Sequence, residues 1–350
     1  MTTLLEQRYR RALTLLPAPY REVWADDMVE TFLEGAYASQ PDDPEGVDGS
    51  RPRLSELASI AALAIRLRLG GVEAPARPRL WGDAVRLAAL IGLWGQATLC
   101  LASGLFTSWI ALRGPGTVAG FPIAIPSRWE TLPRLFEVAW VPAFVLVLYG
   151  QPRWGRALAV TGVAAQLVAI GAVVARGAQP SSYGLVLLAV SLATVAALSA
   201  YQPSTPGPAA RPWLSTFAVT VPVVLGVSLL PSDGVRPYVD VATLWCAGFV
   251  IVALVRRRRP DPVWALALAL VAVAVIALRL TMTEGWLDLL ASPARIALLA
   301  LTTVEVAAVL AIGIGCAGLA RRHWRQLPPV TAELLAGSSA TSRRQAAGPR

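Results

Sequence analysis

The chain has 350 residues, 55% hydrophobic and 15% charged, with a mean hydropathy of +0.55 and a formal net charge of +9. A soluble domain carries ~25% charged residues, so this composition excludes an ordinary water-soluble globule. All 31 basic residues are arginine and His323 is the one histidine, which excludes a Walker A lysine, a Schiff-base lysine and an HExxH zinc site.

The chain opens on a charged helical preface. Thr3-Leu4-Leu5-Glu6 has the spacing of a capping box and predicts a helix start. Leu5, Tyr9, Ala12, Leu13 and Leu16 then fall on one face. Pro17-Ala18-Pro19 ends this helix, and Pro19 suits the first position of a second. In the second helix Trp24, Met28 and Phe32 repeat every four residues, while Glu22, Asp26, Glu30 and Glu34 cover another face. SQPDDPEGVDGSRP has turn chemistry throughout. A third helix is expected from about Leu54 to Leu69, with Leu57, Ala61, Ala64 and Arg68 in line. Three short amphipathic helices make a small core, which leans on the membrane, a second copy or a partner.

The stretch LEQRYRRALTLLPAPYREVWADDMVETFLEGA resembles the opening of many uncharacterised actinobacterial multipass membrane proteins. It is similar to the HTH-associated alpha-helical signalling (HAAS) domains. The shared pattern is Tyr9-Arg10-Arg11, Leu13 to Pro17, Tyr20-Arg21-Glu22 and Asp27-Met28 with Phe32, within residues 3–70. A related opening also precedes some bacterial permease subunits. The resemblance implies a cytoplasmic docking module (residues 1–75), often paired with a PadR-like winged-helix regulator; Tyr9, Leu13, Trp24, Met28 and Phe32 are the candidate docking face. A membrane-proximal helical cap is the plainer alternative.

Beyond residue 83 the pattern changes. A membrane helix needs ~20 predominantly apolar residues, and about eight stretches qualify: 87–112, 133–149, 157–175, 182–200, 213–230, 238–255, 262–280 and 294–320. The expected fold is therefore all-α: a polytopic transmembrane helix bundle (84–320) behind a small cytoplasmic three-helix domain. Glu6 and several arginines interrupt the first 20 residues where a signal peptide would need an apolar core, so the first span is expected to act as its own insertion signal. The segment 113–133, rich in Pro and Gly, is expected to be a loop, with Phe121, Ile123 and Ile125 able to dip into the interface.

Orientation follows from the arginines. Arg256 to Arg259 pack between the sixth and seventh spans, and short arginine-rich loops stay cytoplasmic. This places both termini inside the cell membrane. Arg77, Arg79 and Arg86 before the first span, Arg153 and Arg156 in the second inner loop, and Arg321, Arg322 and Arg325 after the last agree. Arg113, Arg128, Arg134, Arg176, Arg236, Arg279 and Arg295 fall outside and oppose it. The basic excess sits at span ends, where lipid headgroups and not nucleic acid account for it.

Ionisable groups inside spans are functional candidates by default. They are Glu137 in the second span, Asp240 in the sixth, Arg279 in the seventh and Glu305 in the eighth. Arg279 can snorkel outward and Asp240 can cap a helix start. Glu305 lies deepest and must be protonated, paired (Arg279 is the nearest candidate) or facing a wet cavity. Pro142 and Pro222 interrupt their spans. Gly313, Gly315 and Gly318 spell GxGxxG but lie in the last span with no preceding strand, which fits close helix packing and not a dinucleotide site. Gln96 and Gln166 are expected interhelical hydrogen bonders. Cys100, Cys246 and Cys316 read as packing residues, and residues 321–350 as a basic disordered tail.

No metal, cofactor or catalytic pair is expected, and the chain does not read as an enzyme. It reads as a regulatory or sensor protein of the plasma membrane, docking a cytoplasmic partner through its N-terminal module. The alternative is a transporter or ABC-permease-like subunit served by a separate ATPase. Membrane lipid and a second copy of the chain are the other expected partners.

Overall fold

A computed structural model describes residues 3–39, 41, 43–68, 70, 76–113, 116–118, 121–123, 137–201, 207–230, 238–258, 260–287 and 290–328. Expectations for Ile125, Arg128, Arg134, Arg236, Arg259 and the tail beyond 328 lie outside the described residues. The chain divides into two compact units: residues 1–83 with 324–350, and residues 84–323.

The first unit is built from α1 (Leu4–Leu13), α2 (Ala18–Ser39), the short α3 (Pro44–Gly49) and α4 (Leu54–Arg68). Thr3 caps α1, its hydroxyl accepting from the Glu6 N–H at 3.2 Å. The Glu6 carboxylate instead takes Arg10 Nε at 2.8 Å, one turn on. Pro17 ends the connection, its carbonyl accepting from the N–H groups of Tyr20 and Arg21. The six-residue α3 lies in the segment expected as a loop, started by Asp43, whose side chain accepts from Gly46 N–H. Tyr9, Leu13, Leu16, Val29, Ile60 and Ala64 form one core, with Met28, Phe32 and Leu63 packed against it. The rings of Tyr9 and Phe32 stack at 4.0 Å. Arg68 donates to the Leu15 carbonyl at 2.9 Å and Arg8 to Gly49 and Ser50, which ties the helices at their ends. Gly70 adopts φ 61°, and a Cβ there would lie 2.2 Å from the Pro78 carbonyl oxygen, so only glycine fits.

The second unit continues α5 (Ala76–Arg113) and adds α6 (Trp140–Leu148), α7 (Pro152–Ala175), α8 (Ser182–Ala197), α9 (Ala210–Ser228), α10 (Val241–Arg257), α11 (Pro262–Leu287) and α12 (Ser292–Gln326). Within the expected loop after α5, β1 (Gly116–Val118) pairs antiparallel with β2 (Phe121–Ile123), Gly116 opposite Ile123. Helices α5, α7, α8, α9, α11 and α12 are long and apolar enough to cross a membrane, as expected of a multipass membrane protein. In the other two predicted spans the described residues hold helices of nine residues, α6, and 17, α10. Pro142 is the third residue of α6, just after a turn at residues 138–139. Pro222 does lie inside α9.

Small residues set the packing between these helices, as expected where lipid supplies no hydrophobic drive between them. A Cβ on Gly162 of α7 would meet Trp140 Nε1 at 2.5 Å, and one on Gly155 would meet Val147 at 2.6 Å. Trp140, Ala143, Phe144 and Val147 of α6 thereby reach Ala159 and Val163 of α7 and Leu90, Leu93 and Ala97 of α5 in one core. A second core joins Cys246 and Phe249 of α10, Leu268, Ala272 and Val275 of α11, and Val309 of α12. A Cβ on Gly313 would lie 3.0 Å from that of Ala272, whereas nothing lies within 4 Å of one on Gly315 or Gly318. At one end of α8, Arg156 and Arg86 donate to the carbonyls of Leu198 and Ala200. Their charge complements the negative end of that helix.

Candidate functional site: a buried Asp–Arg–Glu cluster

Arg279 of α11 is fully buried and holds two carboxylates from neighbouring helices. Its Nη1 lies 3.1 Å from Asp240 Oδ2 and its Nε 2.5 Å from Glu305 Oε2. Asp240 is 4% exposed and Glu305 side chain 13%. An ion pair so far from water persists only when geometry and further hydrogen bonds offset desolvation.

Each helix contributes a different device. Asp240 is the N-cap of α10: Oδ1 accepts from the Thr243 N–H at 2.8 Å while Oδ2 takes the guanidinium. The positive end of α10 adds to its stabilisation as an anion. Arg279 lies eight residues before the end of α11, or ~12 Å along the axis. Glu305 lies 13 residues into α12, ~20 Å along it. Because Asp240 bonds to Arg279, α10 starts at the level of that arginine.

Around the triad, Thr283 donates to the Arg279 carbonyl at 2.9 Å and lies 2.9 Å from the Thr302 hydroxyl. With its own proton committed, Thr283 accepts that of Thr302, a bond that clips α11 to α12 one turn from the ion pairs. Arg279 Nη2 is buried without a hydrogen-bond partner. Two carboxylates and one guanidinium give the cluster a formal charge of −1, and its bonds link α10, α11 and α12.

Arg279 does not snorkel; it is the centre of the cluster. Asp240 caps its helix and pairs as well. Glu305 takes the partner that its sequence position suggested. Glu137 lies three residues before α6, half-buried and within electrostatic reach of Cys100; the bonds to Arg279 come from Asp240 and Glu305. Gln96 donates to Ser191 at 2.8 Å, joining α5 to α8, whereas Gln166 Oε1 is buried without a partner. Sequence reasoning passed over Thr283, Thr302 and Ser191; hydroxyls inside apolar helices were the available signal. Cys100 and Cys246 are buried and all three cysteines are free. Among the described residues, no group of His, Cys, Asp and Glu could hold a metal.

In the first unit, Tyr9 and Leu13 are core residues, and Met28 and Phe32 pack on the core. Trp24 is 43% exposed and Val23 beside it 41%. Of the predicted docking face, Trp24 is thus the member on the surface. Among family models, curated proteins and solved structures, none matches this chain.

Proposed function

We propose that this is a regulatory or sensor protein of the plasma membrane, whose cytoplasmic N-terminal helices dock a partner while the helix bundle receives the signal. The observation that carries the reading is the N-terminal unit itself. Helices α1, α2 and α4 enclose a core of their own, yet leave Val23 and Trp24 on the surface. Tryptophan is a frequent anchor of protein interfaces, so this pair is where a partner would dock. The HAAS-like pattern points the same way, to a PadR-like winged-helix regulator.

In this reading α6 and α10 also lie in the bilayer, giving eight membrane helices with both termini inside. A 17-residue helix is at the short end of what spans a bilayer. The exposed arginines at the α10–α11 turn and at the start of α7 supply the positive-inside signal. The buried triad acts as a joint that fixes α10, α11 and α12 against one another.

The test is affinity purification of the tagged full chain from native membranes, beside a Val23→Glu/Trp24→Glu variant. Recovery of a winged-helix regulator that the variant loses supports the reading; equal recovery from both sinks the assigned surface. A permease reading rests on a different observation, the unpartnered Nη2 of Arg279 inside the bundle. It predicts copurification of an ATPase, and a flux abolished by Glu305→Gln.

A further inference from the structure

The outward face of α2 has a composition that selects among partners. Val23, Asp27, Glu30 and Glu34 follow one another at spacings of four, three and four residues, so they form one stripe along the helix. Trp24 and Thr31 flank it. All six are on the surface side, opposite the core line of Ala25, Val29, Phe32 and Leu33. Helix α2 carries five carboxylates and a single arginine, Arg21. Asp26 is taken by Arg10 at 2.9 Å. Among the described residues, Asp27, Glu30 and Glu34 form no ion pair.

An apolar pair beside three uncompensated carboxylates repels an anionic membrane surface and nucleic acid alike. It attracts a surface with arginine or lysine around an apolar side chain. Exposed tryptophan is also the residue type that most often anchors a protein interface. We propose that the Val23–Trp24–Asp27–Glu30–Glu34 stripe docks a cationic amphipathic helix of a cytoplasmic protein. Trp24 packs on its apolar side chain, and the three carboxylates select its charge. The inference rests on the reading of residues 1–75 as a docking module, and it fixes the chemistry of the partner.

The experiment places a photo-reactive residue at Thr31, beside the stripe and uncharged, in the full chain in its native membrane. A second version carries it at Leu54, which is 84% exposed on α4. Cross-linked peptides are identified by mass spectrometry. The expected result is a cross-link from position 31 to a protein segment of net positive charge. Its yield should fall about tenfold in Asp27→Lys/Glu30→Lys and at high ionic strength, since paired surface charges contribute modestly each and are screened. Trp24→Ala should lower it as well.

Cross-links to lipid, to this chain itself or to a segment without positive charge would overturn the proposal, as would a yield indifferent to the charge reversal. A protein cross-linked only from position 54 would remove the stripe and leave the docking module standing. No protein cross-link from either position would remove both. Hydrogen-exchange protection of α1, α2 and α4 in each variant separates lost contact from lost fold.

Discussion

Replacing Arg279 by methionine tests the triad most directly. The substitution keeps a long apolar stem but removes the only cation that Asp240 and Glu305 share at 3.1 and 2.5 Å. Removing one partner of a buried pair costs ~3–5 kcal/mol, because the other charge is left uncompensated. For a unit of this size, each kcal/mol shifts Tm by ~2–4 °C, so the transition should fall by roughly 6–20 °C. Cys100 and Cys246 are buried thiols, and a thiol-reactive fluorophore in a Cys316→Ser background reports their exposure on heating. The triple variant Arg279→Met/Asp240→Asn/Glu305→Gln removes all three charges and should recover most of the loss. A shift below ~2 °C for the single variant would mean that both carboxylates reach water, and the account of the cluster as a dry joint would be refuted. Failure of the triple variant to recover would assign the loss to packing instead.

Four further outcomes follow from the geometry. Gly162→Ala forces a methyl against Trp140 and should destabilise the bundle by ~1–3 kcal/mol, whereas Gly315→Ala, with open space, should be neutral or mildly stabilising; the same thermal assay ranks them. Ser191→Ala leaves the Gln96 amide unpaired and should cost ~1–2 kcal/mol, most of it regained in Gln96→Leu/Ser191→Ala; a double-mutant cycle measures the coupling. Phe32→Ala removes the ring stacked on Tyr9 and should cost ~2 kcal/mol or more, against under ~0.5 for Trp24→Ala, read from hydrogen exchange of α1, α2 and α4. The Tyr37 hydroxyl donates to Asp48 at 2.5 Å, and that bond raises its pKa above the usual 10.0. Its contribution to folding is therefore complete below pH ~10 and lost as pH rises through the raised value. Asp48→Asn should bring the late component of the phenolate absorbance titration back toward the other tyrosines.

Much of this architecture is legible in the residue pattern, and the misses have physical causes. The six long apolar helices stand out because span length is a linear property of sequence. The start of α10 lies three residues inside its apolar stretch because a helix boundary depends on capping and depth. Asp240 shows this: its carboxylate starts the helix where Arg279 lies, a coincidence that no one-dimensional pattern contains. Arg279 and Glu305 were each visible as charges in apolar runs, and their opposite signs suggested the pair. Glu137 carried the same signal and has a different setting. In α2 the four-residue repeat Trp24, Met28 and Phe32 turns about 40° per step around the helix axis. Phe32 and Met28 therefore meet the core while Trp24 swings out to the surface.

The Asp–Arg–Glu cluster also joins residues that leave the ribosome at different times. Each charge taken alone at the centre of a membrane helix opposes insertion by ~2.5–3.5 kcal/mol. Helix α11 has a mean hydropathy of 2.5 over its most apolar window, enough to offset the cost of Arg279. Its first answer, Asp240, has already left the ribosome, and its second, Glu305, follows 26 residues later. Asp240 alone balances the charge of Arg279, so Glu305 brings the surplus negative charge, which is held only by the guanidinium that the earlier helices have already placed.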